Sequence, residues 1–305
     1  MRARDEGLRS EALREALALA LAGKVDRLED LLCRHGGGAD PRPNLRLAAA
    51  FGAEIGARGA GAERLLTRLA ADDADPETPR VFLPIAAAYG WAALLADDEV
   101  AARAWEALGA LAADERSPVR LAVIDAVRAF SLGAGGALAL VAAADEWLAM
   151  TELEARRSAA AVAVEILRER RLLAALAARA ELPGYLGRVV EEVAAAPRSA
   201  QRLDSRRRLV VALPPTLALV VGTLGGAGRP GGVSWFEELC ATAAHPDVRS
   251  VLSDTIIGLR SEAIGASPVL IEHLRALMGG SAKPLRDPSR LRPGTGRGKA
   301  SRALR

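Results

Sequence analysis

The chain has 305 residues, of which 50% are hydrophobic, 26% charged and only 3% aromatic, and its formal net charge is +3. A chain of this length can bury a large core, and high hydrophobicity with low net charge excludes an intrinsically disordered protein. Residues 281–305 alone carry a net charge of +7, so the residues before them carry −4. The high isoelectric point is therefore a property of the C-terminal tail.

The cysteines and one long apolar segment bear on the location of the protein. Cys33 and Cys240 are far apart, and neither belongs to a C-x-x-C or metal-spaced cluster, which favours a reducing cytoplasm. The uncharged segment 209–228 is long enough to span a bilayer. Because Pro214 and Pro215 remove backbone donors from it, we predict a buried helix that is interrupted at these prolines.

A polar turn, an arginine and an Ala-rich apolar helix recur along the chain, in a composition that favours helix nearly throughout. The intervals between these arginines range from 34 to 51 residues and scatter around 40, the length of a stacked two-helix unit. The arginines that follow the turns are Arg46, Arg80, Arg120, Arg157, Arg208 and Arg249.

The third and sixth units agree in register as well as in composition. Counted from Arg120 and Arg249, both place apolar residues at the same offsets, which draw one stripe along a helix. The stripe residues are Val119, Val123, Val127 and Phe130 in one unit and Val248, Leu252, Ile256 and Leu259 in the other. Helices are also predicted before the turns, over 23–35, 61–72, 99–113, 136–149, 184–195 and 233–243, with a last one near 267–278.

A turn ending in Val-Arg that leads into an Ala- and Leu-rich helix, clearest at 114–130 and 246–259, resembles the HEAT repeat. The resemblance covers about residues 20–280. It implies an all-α fold, an α-solenoid of about six helical hairpins with capping helices at both ends of residues 1–280. In that family the first helices line the convex face, and turn aspartates and anchor arginines form a ladder between repeats. The six arginines above are therefore the expected ladder residues, and we expect the tail, 281–305, to be disordered.

Stacked hairpins leave a long curved surface that suits a macromolecular partner. Acidic pairs fall mainly on the predicted first helices and arginines on the second helices, so we expect a basic concave face that binds a protein with an acidic surface. The candidate partner-binding residues are Arg168, Arg170, Arg171, Arg206 and Arg207. The alternative is that these arginines are solvated or engaged in structural contacts. The tail suits weak, nonspecific contact with nucleic acid or anionic membranes, unless it is a solvated terminus.

Catalytic and cofactor patterns are weak in this sequence. Residues 226–231 satisfy G-x-G-x-x-G, but Pro230 removes an amide where a phosphate needs donors, and no other βα units are evident. The three histidines lack metal spacing, and no Cys–His pattern typical of an activated thiolate is evident. We therefore predict a non-catalytic scaffold or adaptor without a cofactor.

The resemblance leaves two other functions open. Some HEAT-like proteins are DNA glycosylases that use tryptophans and an acidic residue. Here Trp91 with Asp97 and Asp98, or Trp147 with Asp145 and Glu146, would take those roles. A net acidic body with few aromatic residues argues against this alternative. Other HEAT-like proteins are lyase subunits in protein modification, which would require a small-molecule pocket.

Overall fold

The computed structural model describes residues 2–37, 43–177, 179–195, 203–226 and 232–280. In these ranges the protein is all-helical and contains no strand, as the Ala-, Leu- and Arg-rich composition predicts. The tail, 281–305, and all but the first residue of the glycine-rich loop at 226–231 lie outside the described residues.

Helices are observed at each of the seven places where the sequence predicts one before a turn or near 267–278, and a helix also follows each turn. We call the helices before the turns the first helices: α2 (Asp26–His35), α4 (Glu63–Ala70), α6 (Ala101–Ala112), α8 (Gly136–Leu148), α11 (Glu181–Ala194) and α13 (Ser234–Thr242). We call those after the turns the second helices: α3 (Leu45–Gly56), α5 (Phe82–Leu94), α7 (Ser117–Ser131), α9 (Leu153–Ile166), α12 (Asp204–Gly226) and α14 (Pro246–Gly258). The others are α1 (Arg2–Leu21), α10 (Arg170–Leu176) and α15 (Pro268–Gly280), and short 3-10 segments, Gly59–Ala62 and Pro79–Val81, precede α4 and α5.

The polar turns supply the residues that begin the second helices. The side chains of Asn44, Glu152 and His245 each accept a hydrogen bond from backbone N–H groups in the first turn of α3, α9 and α14, respectively. Pro118 and Pro246 occupy the first turn of α7 and α14, where a missing N–H costs nothing. The turns therefore satisfy backbone donors that a helix terminus leaves open.

The predicted apolar stripe is buried in both units that carry it except at Phe130, which is only partly buried. Val119, Val123 and Val127 have no exposed surface, and Leu252 in the sixth unit is equally buried. The buried apolar residues form one continuous cluster from Leu13 to Leu274. No single pair of helices could bury its apolar surface alone to this extent, so the helices depend on their neighbours.

The second helices contact one another in succession. Helix α3 packs on α5, α5 on α7, α7 on α9, α9 on α12 and α12 on α14. The first helices α6, α8, α11 and α13 also contact each other in that order. At the ends, α1 packs on α2, and α15 packs on α13 and α14.

Ion pairs between consecutive first helices repeat at nearly constant separation. Arg68 Nε lies 3.0 Å from Glu29 Oε1, 39 residues away. Arg103 Nε lies 2.7 Å from a Glu63 carboxylate oxygen, 40 residues away, and Arg188 Nε lies 3.2 Å from Asp145 Oδ1, 43 residues away. Salt bridges therefore join neighbouring first helices at these positions. Because arginines neutralise Glu29, Glu63 and Asp145, the surface of the first helices is less acidic than the sequence suggests.

Helix α12 differs from the expectation that its prolines interrupt it. The helix runs without a break from Asp204 to Gly226 and contains both Pro214 and Pro215. Packing along α9 holds it in place, and Thr216, directly after the prolines, donates a hydrogen bond of 3.0 Å to the Val164 carbonyl of α9. Tertiary packing thus outweighs the two backbone hydrogen bonds that the prolines remove.

Candidate functional site

The expected ladder arginines make contacts of several kinds. Arg80 lies 2.6 Å from Asp72 and 3.3 Å from Glu29. It therefore links its own turn to α2, the first helix of the preceding unit. Arg157 is completely buried, and its Nε lies 3.9 Å from a carboxylate oxygen of Glu192 on α11. These two arginines reach acidic groups of an adjacent unit.

The other ladder arginines bind neutral oxygens where they have a partner among the described residues. Arg120 Nη1 donates to two carbonyls of its own turn at 2.6 Å, and Arg249 Nη2 donates to a carbonyl of α15 at 2.8 Å. Arg208 Nη2 donates to Ser158 Oγ on α9 at 2.7 Å. Arg46 is exposed on α3. Of the three arginines with such a partner, Arg208 and Arg249 reach another helix through a hydroxyl or carbonyl group, whereas Arg120 binds within its own turn.

The five candidate partner-binding arginines lie in three different places. Arg168, just after α9, donates at 3.1 Å to a carbonyl of α12, and Arg206 is 8% exposed and paired with an aspartate of α14. Arg170 and Arg171 are exposed on α10, where Arg170 also donates to a backbone carbonyl that follows α14. Arg207 is exposed on α12. Internal contacts therefore occupy Arg168 and Arg206, whereas Arg171 and Arg207 face solvent.

Helices α7 and α12 each present a solvent-exposed stripe. Both contact second helices on either side and first helices behind them, so their exposed residues mark the remaining side. We call these two stripes the second-helix surface: Ser117, Leu121, Asp125 and Ala129 on α7, and Asp204, Arg207, Val211 and Pro215 on α12. The surface includes two large exposed apolar side chains, since Leu121 is 57% and Val211 is 72% exposed.

Between these stripes lies a cavity over α9, which we call the α9 recess. It has a volume of about 130 Å³ and is lined by Ser117, Arg120, Leu121 and Ile124 of α7, Ser158, Ala161, Val162 and Glu165 of α9, and Arg208 of α12. The residues of α7 and α9 follow the same i, i+3, i+4, i+7 spacing, so each set occupies one face of its helix. Small side chains on α9 between longer ones on its neighbours leave the recess.

The α9 recess concentrates positive charge. Burial, and after it the positive charge of Arg208, lowers the pKa of Arg120, while Glu165 and other carboxylates act in the opposite direction. The Nε of Arg208 is buried and has no hydrogen-bond partner among the described residues. Guanidinium groups bind carboxylates and phosphates. The recess is therefore a candidate site for an anionic group.

The sequence does not predict that Arg120 and Arg208 line the same recess. The two residues were expected to belong to a ladder, 88 positions apart in the chain. The available signal was the small residues Ser158 and Ala161, one helical turn apart on α9. The sequence does not show that α7 and α12 flank α9, so the small residues alone do not predict a recess.

The tryptophans belong to the core. Trp91 is 3% and Trp147 is 2% exposed, and Trp147 Nε1 donates to the Trp105 carbonyl at 3.1 Å. The Trp105 ring packs edge-on against Trp147 with the ring centroids 6.1 Å apart. Neither Trp91 nor Trp147 is exposed for stacking on a nucleobase, which is the role that the glycosylase alternative requires.

The side chains that could bind a metal ion or act as nucleophiles are not clustered in the part of the chain that the structure describes. Within the described ranges no cluster of His, Cys, Asp or Glu side chains could hold a metal ion, and both Cys33 and Cys240 are free thiols. Among the described helices only α12 is long and apolar enough to cross a membrane by length and composition, and 56% of that segment is buried.

Comparisons with known proteins give no family assignment. The chain matches no family model, no curated protein and no solved structure. A function must therefore be argued from the surfaces described above.

Proposed function

We propose that this protein is a HEAT-like α-solenoid that acts as a non-catalytic scaffold in the cytoplasm and binds an acidic protein partner on its second-helix surface. The proposal treats α1 and α15 as the capping helices of the array and residues 281–305 as an accessory basic tail.

The order of helix contacts supports the solenoid. Each second helix contacts the next one, and the first-helix ion pairs recur 39 to 43 residues apart. A stack of two-helix units produces this pattern, because every residue meets its counterpart in the next repeat. The single apolar cluster from Leu13 to Leu274 is the continuous core that such a stack requires.

The single observation that carries the binding function is the composition of the second-helix surface. Leu121 and Val211 are large apolar side chains exposed on neighbouring parts of one face, with Arg207 one turn from Val211 and the positively charged α9 recess between the stripes. Apolar anchors beside arginines are typical of protein interfaces, where Arg is enriched and electrostatic complementarity guides encounter.

The scaffold role is supported by where the reactive groups lie. The candidate tryptophans are core residues, and burial raises the pKa of the Cys240 thiol to about 12, which makes it a poor nucleophile. Two free cysteines suit a reducing compartment.

Quantitative affinity capture from the native cell tests the proposal. The full chain is immobilised as wild type and as Val211→Asp, Arg207→Glu and Val269→Asp, and the captured proteins are quantified by mass spectrometry. Val269 on α15 is 77% exposed and is the matched control for Val211, which is 72% exposed. We expect an acidic protein that wild type and Val269→Asp retain equally, and that Val211→Asp and Arg207→Glu retain at least tenfold less, because each places a negative charge in the interface.

The same experiment can refute the proposal. Equal capture by wild type and Val211→Asp, with circular dichroism confirming that both are folded, would remove the second-helix surface as the binding site. Enrichment of no protein over empty beads would contradict the scaffold function itself.

A further inference from the structure

The α9 recess is more specific than a charged surface, because its polar atoms are already positioned. Arg120 Nη1 is held by the carbonyls of Asp114 and Glu115, and Arg208 Nη2 is held by Ser158 Oγ. Each guanidinium is thereby fixed through one nitrogen, and its remaining N–H groups are left for another acceptor. A preorganised arginine loses little entropy when it binds.

The Nε of Arg208 is distinct from the groups that the recess can offer to a ligand. It is enclosed and has no hydrogen-bond partner among the described residues. The cavity instead adjoins both arginines, and the positive charge of Arg208 lowers the pKa of Arg120. An anion in the recess would offset this repulsion between the two guanidinium groups.

The charge balance of the recess selects the kind of anion. Among the residues that line the recess, Arg120 and Arg208 contribute two positive charges and Glu165 one negative charge, so a single negative charge balances them. The nearby carboxylates of Asp114 and Asp204 are paired with Arg116 and Arg207. A phosphate dianion would leave an excess negative charge beside Glu165. A carboxylate matches the charge and can accept two parallel hydrogen bonds from a guanidinium.

The size and the walls of the recess select what carries the carboxylate. Its volume of about 130 Å³ is well below the roughly 300–1,000 Å³ of pockets for cofactors and drug-sized ligands. Leu121, Ile124 and Val162 line it with apolar surface, and Leu121 lies at the exposed rim. A short aliphatic stem that ends in a carboxylate fits these walls, and this is the chemistry of an aspartate or glutamate side chain.

We propose that the α9 recess is a carboxylate-binding pocket that takes one aspartate or glutamate side chain of the partner, with Arg120 and Arg208 holding the carboxylate. The side chain enters between the stripes of α7 and α12, at the centre of the second-helix surface. This inference rests on the proposed function for the source of the side chain, although the pocket itself can be tested without the partner.

The test uses the full chain and a blocked amino acid whose only charge is the side-chain carboxylate, N-acetylglutamate N-methylamide. Binding is followed through the Arg Nε–Hε NMR signals of 15N-labelled protein, because the guanidinium groups of Arg120 and Arg208 line the recess and their signals respond to a nearby anion. We expect a saturable shift of the Arg208 signal with a dissociation constant on the order of 1 mM, the range of weak single-group contacts. The neutral N-acetylglutamine N-methylamide should leave this signal unchanged.

Variants separate the pocket from nonspecific attraction. Arg120→Gln and Arg208→Gln should each weaken binding at least tenfold, whereas Arg64→Gln, which removes an exposed arginine of α4, should leave it unchanged. Glu165→Gln should bind the carboxylate more tightly, and this variant keeps the inference testable if an arginine variant fails to fold. Inorganic phosphate at pH 8 should compete weakly with wild type and more strongly with Glu165→Gln.

Three results would overturn the inference: no saturable shift, equal shifts with the glutamate and glutamine compounds, or tighter binding of phosphate than of the carboxylate by wild type. The failure of the pocket is distinguishable from the failure of the proposed function. If the glutamate compound does not bind but Val211→Asp still abolishes partner capture, only the pocket is wrong. If the compound binds but Val211→Asp captures as wild type does, the pocket stands and the proposed function falls.

Discussion

Arg206 of α12 and Asp247 of α14 form a salt bridge of 2.6 Å whose side chains are only 10% and 13% exposed. The next residue, Arg207, is 67% exposed and pairs with Asp204 of its own helix at 3.2 Å. Two adjacent arginines that look alike in the sequence thus have opposite environments. The first joins two second helices, and the second belongs to the surface that we assign to the partner.

This contrast predicts losses of stability that differ in size. Replacing Arg206 with Gln removes a charge-assisted hydrogen bond to Asp247 in a nearly dry contact, so we expect the free energy of unfolding to fall by about 1.5–3 kcal/mol. Replacing Arg207 with Gln removes an exposed ion pair, and the loss should stay below about 0.5 kcal/mol. Urea unfolding followed by circular dichroism measures both. A similar midpoint for the two variants would show that the α12–α14 pair does not hold the helices together.

A second prediction concerns Arg157, a completely buried arginine whose Nε and Nη1 have no hydrogen-bond partner among the described residues. Burial lowers its pKa, Glu192 opposes this, and the charges of Arg206 and Arg156 add to the lowering. Desolvation of such a charge often costs more than its ion pair gains. Arg157→Met should therefore either raise the free energy of unfolding or lower it by less than about 1 kcal/mol.

The matched variant is Glu192→Gln, which removes the carboxylate shared by Arg156 and Arg157, 3.2 Å and 3.9 Å away. Both arginines would remain in place without their counter-charge, and we expect a loss of about 3 kcal/mol. The order of the two urea midpoints is the informative result. Arg157→Met less stable than Glu192→Gln would mean that the buried arginine itself stabilises the fold.

The helices could be predicted from sequence because their signals are local. The stripe Val119, Val123, Val127 indicates a buried helix face wherever it occurs, and Pro118 and Pro246 mark helix starts by their own chemistry. The prolines of α12 show where local rules end. The loss of two backbone hydrogen bonds follows from the prolines themselves and can be read from the sequence. The stabilisation that offsets it comes from packing against α9, about 50 residues earlier in the chain, and cannot.

The candidate site could not be predicted, because it depends on which residues of three helices meet. Arg208 lies beside Ser158 only because α10 and α11 intervene without displacing α12 from α9. The interval between Arg157 and Arg208 is the longest in the series, 51 residues, so counting from one unit to the next gives no register at this place. The opposite environments of Arg206 and Arg207 depend on the same register.

A third prediction tests the close approach of α3 and α5. A methyl group added at Gly52 would lie 2.8 Å from the Tyr89 carbonyl oxygen, which is backbone of α5 and cannot turn aside. We expect Gly52→Ala to lower the free energy of unfolding by about 1–3 kcal/mol, the usual cost of overpacking. Gly187 of α11 is the matched control, since a methyl group there meets nothing within 4 Å.

Gly187→Ala should stabilise the protein by about 0.5–1 kcal/mol, because alanine loses less backbone entropy than glycine in a helix. Opposite signs for the two substitutions, measured in urea under one set of conditions, are the expected outcome. If both variants were stabilised, α3 and α5 would have to be farther apart than the structure places them.

The final prediction is a pH dependence that arises from Cys240. Its side chain is fully buried in α13, and burial, assisted by the negative charge of Glu237, raises the pKa of the thiol to about 12. In the unfolded chain a cysteine titrates near pH ~8.5. The folded state therefore keeps a proton that the unfolded state loses, so the stability contribution is complete below pH 8 and declines as the pH rises toward 12.

Between pH 8 and pH 10 this decline amounts to about 2 kcal/mol for one such group. Cys240→Ala loses packing but no longer titrates, so its stability relative to wild type should improve by that amount over the same interval. Urea unfolding with a reducing agent present measures the difference at each pH.

Cys33→Ala is the control, and it should show a smaller change because the positive charge of Arg80 opposes the effect of burial on the pKa of that thiol. A difference between wild type and Cys240→Ala that stays constant from pH 8 to pH 10 would mean that the thiol ionises in the folded protein, and the core around α13 would then have to admit water.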